Sequence, residues 1–283
     1  MNGIRLHAVQ AGPVDGPLVL LLHGFPEFWR GWINQIEPLA RAGWRVVAPD
    51  QRGYNLSDKP AGVSSYRMSE LVGDVTGLVQ ALGRQKACLV GHDWGAGVTW
   101  ETAIRRPDCV QKLVILNAPH PDVMTRFLLS RLRQLLKSWY IFFFQVPGLP
   151  EAMLRLNDWQ PAVQMLQRSR QPGAFLPEQI EHYRRAWWQK DAMTNMINWY
   201  RAAFRRALRG PWNPRQIQPR RVKPPALILW GEQDIALSKE MVQPSLDLCD
   251  QGRLVTFPHA THWVQHDEAV EVTRQLLAFL AER

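Results

Sequence analysis

The sequence predicts an α/β protein with a mostly parallel, doubly wound sheet and a helical segment inserted between two of its strands. Three observations predict this architecture. In both flanks of the 283-residue chain, short apolar runs alternate with amphipathic stretches of helical period. The runs are almost continuously apolar, which is typical of strands that helices cover on both faces of a sheet. In the middle of the chain the alternation stops and only helical spacing remains.

Six strands are predicted by apolar runs of four or five residues bounded by turn residues. In chain order they are 18–22, 44–48, 87–90, 113–116, 226–230 and 254–257. A helix is predicted over 69–82, where apolar side chains recur three or four residues apart, and a last helix over 268–280.

The middle of the chain predicts a separate helical unit. Residues 119–220 carry Leu, Phe, Trp and Arg at helical spacing, and the pattern is broken at Pro147, Pro161, Pro172 and Pro177. We therefore predict a core domain made of 1–118 and 221–283, with a lid domain of 119–220. The lid should cover the carboxyl edge of the sheet, where α/β folds bind their ligands.

The positive charge of the chain is concentrated in the predicted lid. The chain has a net charge of +9; residues 119–220 hold 14 Arg and 2 Lys against 6 acidic residues, and the remainder holds 18 basic and 19 acidic residues. No zinc-finger, RNA-recognition or homeodomain signature accompanies this charge. The arginines alternate with apolar residues, as in RFLLSRLRQLLK, which is typical of solvated helix faces. We predict no nucleic-acid partner, and either a monomer or a homodimer.

The cysteines and the hydropathy favour a cytoplasmic protein. Cys88, Cys109 and Cys249 are odd in number and lack CxxC spacing, so they predict neither a disulfide framework nor a metal site. No window approaches the ~18 apolar residues that cross a bilayer. The first residues lack the basic-then-apolar layout of a secretory signal. We expect no membrane partner.

The most informative motif is VGHDWGA at residues 90–96, directly after a predicted strand. It matches a nucleophile elbow with Asp93 where many hydrolases have serine. Gly91 and Gly95 would leave room for the strained turn. The positive end of the following helix would keep Asp93 ionised. The alternative interpretation is that Asp93 only caps this helix.

Segments after other strands favour the nucleophile. In LHGFP the backbone N–H of Phe25, together with that of Trp94, could face a developing oxyanion. In the same motif His23 is expected to have a structural role.

A candidate acid and a candidate histidine follow the last two predicted strands. In WGEQD the acid is Asp234, with Glu232 as the near alternative, and in FPHATHW the histidine is His262. The order nucleophile, acid, histidine is that of α/β hydrolases. The spacing of His259, His262 and His266 also suits zinc, but HExxH is missing and a zinc site would leave Asp93 unexplained. We predict no metal, and we expect His259 and His266 to be ordinary surface or loop histidines.

An aspartate nucleophile restricts the chemistry. A carboxylate displaces a leaving group from sp³ carbon and forms an ester of the enzyme itself, which a His–Asp pair then hydrolyses with water. This mechanism excludes ordinary esterase and lipase reactions. The leaving group is then a halide or the oxygen of a strained epoxide.

The motifs HGFPEFW, DQRGYNLSDKP, GHDWGA, WGEQD and HATHW together resemble the epoxide hydrolase branch of the α/β-hydrolase superfamily, over nearly the whole chain. The resemblance implies two lid tyrosines that hold and protonate the epoxide oxygen. SWYIFFFQVPG matches the segment of the first, at Tyr140, and NWYR that of the second, at Tyr200. The alternative is that both phenols only pack the lid.

Related dehalogenases share the elbow and the triad but differ at marker positions. Fluoroacetate dehalogenases typically have Arg after the nucleophile, where this chain has Trp94, and a lid His–Trp pair. Haloalkane dehalogenases usually have Asn after the HG dipeptide, where Phe25 stands here. A sibling group with His at the first lid position is disfavoured by Tyr140.

The resemblance therefore implies that Asp93 attacks an epoxide and that His262, oriented by Asp234, activates water, without any cofactor. A small lipophilic epoxide is the expected substrate. Candidate pocket walls are Trp29, Trp139, Phe143 and Trp199, with Trp94 beside them. The competing hypotheses are a haloalkane or haloacid dehalogenase and a non-catalytic ligand sensor.

Overall fold

The computed structural model of the protein describes residues 2–168, 173–210 and 212–282. In these residues the strands are β1 (Ala8–Ala11), β2 (Leu18–Leu22), β3 (Arg45–Pro49), β4 (Ala87–His92), β5 (Val110–Leu116), β6 (Ala226–Gly231) and β7 (Gly252–Phe257). They form one sheet in the order β1-β3-β2-β4-β5-β6-β7. Every neighbouring pair is parallel except β1 and β3. The predicted α/β fold class is confirmed.

The helices in the described residues are α1 (Ile33–Arg41), α2 (Met68–Ala81), α3 (Trp94–Arg105), α4 (Pro121–Ser130), α5 (Leu132–Lys137), α6 (Trp139–Phe143), α7 (Leu149–Arg168), α8 (Pro177–Trp187), α9 (Ala192–Ala207), α10 (Val242–Leu246), α11 (Val264–Asp267) and α12 (Ala269–Ala281). The backbone of α7 leaves helical angles at residues 156–159. Among the predicted breaks, Pro161 lies inside α7 and Pro177 begins α8, while Pro172 lies outside the described residues.

Burial on both faces of the sheet explains the continuous apolar runs. In β2, Leu20 and Leu22 belong to one buried cluster, whereas Val19 and Leu21 belong to a second cluster on the other face. Because successive strand residues point to opposite faces, a strand covered on both sides needs apolar residues at every position. Strand β1 was not predicted, because it is a four-residue, half-exposed edge strand without such a run.

The helices α4 to α9 form an insertion between β5 and β6, and they contact the carboxyl edge of the sheet. Two tryptophans of the insertion donate indole hydrogen bonds to backbone carbonyls that follow strands. Trp187 donates to Pro26 across 2.7 Å and Trp199 donates to Arg52 across 3.0 Å. In the described part of the chain, no helix is both long and apolar enough to cross a membrane.

Candidate active site

Asp93 lies at the turn between β4 and α3, with a backbone φ of 51° and ψ of −118°. A positive φ is uncommon for a residue with a side chain and is typical of a strained functional turn. The two neighbouring glycines are required by close backbone contacts. A Cβ on Gly91 would lie 2.5 Å from the carbonyl oxygen of Gly95, and one on Gly95 would lie 2.0 Å from that of Leu22.

The loop after β2 contacts the Asp93 carboxylate directly. The backbone N–H of Phe25 donates a hydrogen bond to Asp93 Oδ1 across 2.9 Å. Gly24, which the sequence did not single out, allows this approach, because a Cβ there would lie 2.4 Å from the Cβ of Asp93. Trp94 follows Asp93 as the first residue of α3, and its ring is half-buried.

The structure brings Asp93, His262 and Asp234 together. His262 Nδ1 lies 2.7 Å from Asp234 Oδ2, and His262 Nε2 lies 3.6 Å from Asp93 Oδ2. The other oxygen of Asp234 accepts hydrogen bonds from the N–H groups of Ala236 and Leu237. The alternative acid, Glu232, instead pairs with Lys239 across 3.3 Å. Asp234 is therefore the acid beside His262.

Asn117 supports this acid and was missed from the sequence. It directly follows β5, has a φ of 41°, and donates from Nδ2 to Asp234 Oδ2 across 2.9 Å. The same amide exchanges hydrogen bonds with both backbone groups of Gly231. The only signal in the sequence is a polar residue at the end of a strand. Its partner becomes apparent only when β5 and β6 are seen to be neighbours.

The charges of these groups depend on one another. Burial would lower the pKa of His262, but the charge and hydrogen bond of Asp234, together with those of Asp93, raise it to about 10. Burial would raise the pKa of Asp93, but the hydrogen bond and charge of His262 lower it below its usual value. Burial would also raise the pKa of Asp234, but the charge and hydrogen bond of His262 outweigh that effect and lower it. At neutral pH the resting site therefore holds two carboxylates and an imidazolium.

The two predicted tyrosines lie next to each other above this site. Tyr140 is on α6 and Tyr200 is on α9, and their ring centroids are 5.9 Å apart. The ring of Tyr200 also contacts Phe25 and Trp94, at 5.3 and 5.0 Å. Burial and then the negative charge of Asp93 raise the pKa of both phenols well above the usual value. Both hydroxyls therefore stay protonated as hydrogen-bond donors.

The four predicted pocket residues lie in different settings. Trp199 is buried, and its ring contacts Trp94 at 5.8 Å. Phe143 is half-buried against Phe144. Trp29 is half-buried as well, and Trp139 lies on the surface with 63% of its area exposed. The structure thus places Trp199 next to the residue that follows Asp93, and it places Trp139 on the outside of α6.

A buried carboxylate lies behind the site and was also missed. Glu27 Oε1 accepts hydrogen bonds from Tyr183 on α8 (2.8 Å) and from His266 (2.7 Å). Its Oε2 accepts from Gln265 and lies 3.4 Å from His92 Nδ1. Burial would raise the pKa of Glu27, but the charge and hydrogen bond of His266, with those of His92, hold it well below its usual range.

This cluster corrects one expectation from the sequence. His259 is exposed as expected, but His266 is buried in α11 rather than at the surface. The reason is that Glu27, far away in the sequence, supplies a buried acceptor. His92 continues the chain of contacts, because its Nε2 donates to the carbonyl oxygen of His262 across 2.8 Å. His23 bonds only backbone groups of Gly24 and Gln51, as a structural histidine would.

Replacing Glu27 by glutamine is expected to destabilise the protein at neutral pH. Because folding lowers the pKa of Glu27, its charged carboxylate stabilises the folded state at pH values above the usual carboxyl pKa of 4.5. This contribution is lost as the pH falls. Breaking a buried charged pair from one side typically costs about 3 kcal/mol. Urea unfolding should show this loss near pH 7 and a smaller difference in acid. As a control, Tyr183→Phe removes one hydroxyl and should cost only about 1 kcal/mol. Equal stability of Glu27→Gln and wild type would contradict the account.

Comparison with known proteins assigns the family. The family model described as alpha/beta hydrolase fold matches residues 17–269. The AB hydrolase superfamily protein YfhM of Bacillus subtilis is 44% identical over 279 residues, which cover 99% of this chain and 95% of that protein. Epoxide hydrolase 4 of Mus musculus is 36% identical over 288 residues, covering 99% of this chain and 77% of that protein.

Solved structures agree with the sequence relatives. The crystal structure of Bacillus megaterium epoxide hydrolase in complex with an inhibitor superposes with a TM-score of 0.89 at 30% identity, over 99% of this chain and 98% of that one. Together with the curated relatives, this similarity extends over both the strands and the inserted helices. The chain therefore belongs to the epoxide hydrolase family of the α/β-hydrolase fold superfamily.

Proposed function

We propose that the protein hydrolyses lipophilic epoxides to vicinal diols through a covalent ester on Asp93. The observation that carries this proposal is that the rings of Tyr140 and Tyr200 lie side by side, 5.9 Å apart, and that burial and the nearby negative charge of Asp93 raise the pKa of both phenols, which keeps them protonated. Opening an epoxide produces an alkoxide, which is a poor leaving group unless a donor protonates it. Halide, the leaving group of the dehalogenase alternative, needs no proton.

In the first half-reaction a carboxylate oxygen of Asp93 bonds to an epoxide carbon, and the ring C–O bond breaks. A phenol donates its proton to the departing oxygen. The resulting phenolate then recovers a proton from the His262 imidazolium. His262 is protonated in the resting site, and loss of the Asp93 charge on esterification removes one of the groups that raise its pKa. The step therefore ends with neutral phenols, an ester on Asp93 and a neutral imidazole.

In the second half-reaction His262 takes a proton from water, and the hydroxide attacks the carbonyl carbon of the Asp93 ester. Asp234 orients the imidazole through the 2.7 Å contact at Nδ1. The negative oxygen that forms faces the backbone N–H of Phe25, which already contacts Asp93 Oδ1, with that of Trp94 as the second donor. The ester C–O bond breaks, the leaving oxygen takes the carboxyl proton, and the diol leaves a carboxylate and an imidazolium.

A direct assay distinguishes this function from dehalogenation. The protein is incubated with styrene oxide or with a haloalkane, and diol and halide are measured separately. We expect diol from the epoxide and no halide above the background. Halide release without diol would show that the protein is a dehalogenase. The absence of both products would favour a ligand-sensing protein.

The hydrolytic half-reaction is expected to accelerate as the pH rises. His262 must be neutral to act as a base, and its pKa is raised to about 10 while Asp93 is charged. In the ester Asp93 is neutral, so the pKa of His262 should be lower than in the resting enzyme. Decay of the ester, followed by single-turnover mixing, should rise about ten-fold per pH unit and level off below pH 10. A rate that falls with rising pH would contradict the base role of His262.

We also propose that residues 119–220 act as a lid domain on a core of 1–118 and 221–283. Arg220, at the end of the lid segment, supports this division. Its guanidinium lies 3.0 Å from the carboxylate of Glu101 on α3 in the core and 2.7 Å from that of Asp122 on α4, at the start of the lid.

We propose a cytoplasmic location as well, which the three free, buried cysteines support. The choice between a monomer and a homodimer stays a prediction.

A further inference from the structure

Exposed apolar side chains are concentrated in the same segment as the positive charge. Of the 16 large apolar side chains that are exposed in the described residues, 12 lie between 119 and 220, which is roughly a third of the chain. This segment also has 16 basic against 6 acidic residues. A surface that is basic and apolar at once is unusual, because a solvated helix face normally carries its charges on polar surroundings.

Part of this surface is one continuous patch between α6 and the end of α9. The rings of Phe142 and Phe204 are in contact, with centroids 5.7 Å apart. Next to them an open groove of about 430 Å³ is lined by Pro147, Phe204, Arg205 and Leu208, among others. We call this patch the α6–α9 face. It consists of Phe142, Pro147, Phe204, Arg205 and Leu208, together with Val146 and Arg209, which are the exposed chain neighbours of Pro147 and Leu208.

The α6–α9 face is not the lid's own core. Tyr140 of α6 and Phe144, the residue that follows α6, point inward, and both rings contact Tyr200. On its other side Phe142 is 47% exposed, and so is Leu208 at the end of α9. The outer side of the helix that carries Tyr140 therefore forms the patch.

The charges of this face are available to a partner. Arg206 is paired with Glu101 of the core across 3.5 Å. Its neighbours Arg205 and Arg209 are exposed, and neither has an ion pair within the ranges that the structure describes. Two free guanidinium groups thus border the apolar side chains.

We propose that the α6–α9 face binds the surface of a bilayer that contains anionic lipid. Apolar and aromatic side chains next to arginines are what an interfacial contact requires, because the rings enter the headgroup region while the guanidinium groups meet anionic headgroups. The expectation of no membrane partner depended on the lack of a spanning segment, and surface binding needs none. Docking here would place the outside of α6 at the bilayer, in which lipophilic substrates dissolve.

Other partners fit the face less well. A second copy of the chain would bring a lid with the same positive charge against this one, and like charges repel. A nucleic acid would use the arginines but would leave the central apolar side chains without a partner, unless bases stacked on them.

The test measures co-sedimentation of the protein with vesicles, without substrate, so that it is independent of the proposed chemistry. Phosphatidylcholine vesicles are compared with vesicles containing about a third phosphatidylglycerol. We expect binding to the anionic vesicles only. Arg205→Gln with Arg209→Gln should weaken it about five-fold for each charge removed. Phe142→Ser should weaken it about ten-fold, and high salt should weaken the wild type.

Val270→Ser on α12 is the matched control, since it removes an apolar side chain that is 87% exposed elsewhere, and it should bind like the wild type. All variants should keep the circular dichroism spectrum of the wild type and unfold in urea in a single cooperative transition, which shows that they fold. The proposal is overturned by equal binding to both vesicle types, by no binding, or by anionic-vesicle binding that the α6–α9 variants leave unchanged. Tighter binding to duplex DNA than to vesicles overturns it in favour of a nucleic acid. Self-association of a wild type that binds no lipid, if the α6–α9 variants lose it, overturns the proposal in favour of a second copy of the chain.

Discussion

Replacement of His262 by glutamine is expected to arrest the reaction at the ester on Asp93. Ring opening needs the Asp93 carboxylate and a phenol proton, and without His262 the phenolate can recover its proton from water, so the first half-reaction should still occur once. The second needs a base 3.6 Å from Asp93, and glutamine cannot accept the proton of water. Loss of a general base typically lowers a rate by on the order of 10³-fold. Intact-protein mass spectrometry after mixing with styrene oxide should show the mass of one substrate added per molecule.

The control for this experiment is Asp93→Asn, which should show no adduct, apart from slow deamidation back to aspartate. Digestion of the His262→Gln adduct should locate the added mass on the peptide that contains Asp93. An adduct on another residue, or full turnover by His262→Gln, would be incompatible with the proposed mechanism. Since Asn117 holds Asp234 across 2.9 Å, Asn117→Ala should produce a milder form of the same arrest.

Replacement of both Tyr140 and Tyr200 by phenylalanine is expected to slow epoxide opening severely. Each phenol is kept protonated by burial and by the charge of Asp93. A single replacement leaves one donor, so ester formation should slow by about 10-fold, whereas the double replacement should slow it by on the order of 10³-fold. Ester formation is measured by rapid mixing with styrene oxide, and ester decay is measured separately.

Tyr66→Phe is the matched control, because Tyr66 is also buried but donates its hydroxyl to the carbonyl oxygen of Pro60 across 2.8 Å. That variant should lose some stability and keep the wild-type rate of ester formation. The double variant should hydrolyse a preformed ester normally. If it instead opened epoxides at the wild-type rate, the tyrosines would be packing residues, and the assignment of epoxide over halide would fail.

The surroundings of the site show which features a sequence reveals. Gly91, Asp93 and Gly95 stand out because the strained turn and its steric requirements lie within a few neighbouring residues. Asn117 and Glu27 do not stand out, because their partners Asp234 and His266 are more than a hundred residues away. Similarly, β1 lacks a pattern of its own and exists through its pairing with β3.

The sequence by itself determined the α/β fold class and indicated Asp93, Asp234 and His262 as candidates. All six predicted strands are present, and each begins or ends within a few residues of its predicted limits. These follow from local rules: strands buried on both faces must be apolar, and an elbow needs glycines around its nucleophile. The tertiary structure decided that Asp234 rather than Glu232 meets His262, that Tyr140 and Tyr200 are neighbours, and which side of α6 faces the solvent. Those results depend on which strands and helices become adjacent in space, because distances between remote segments are set by packing and not by local sequence.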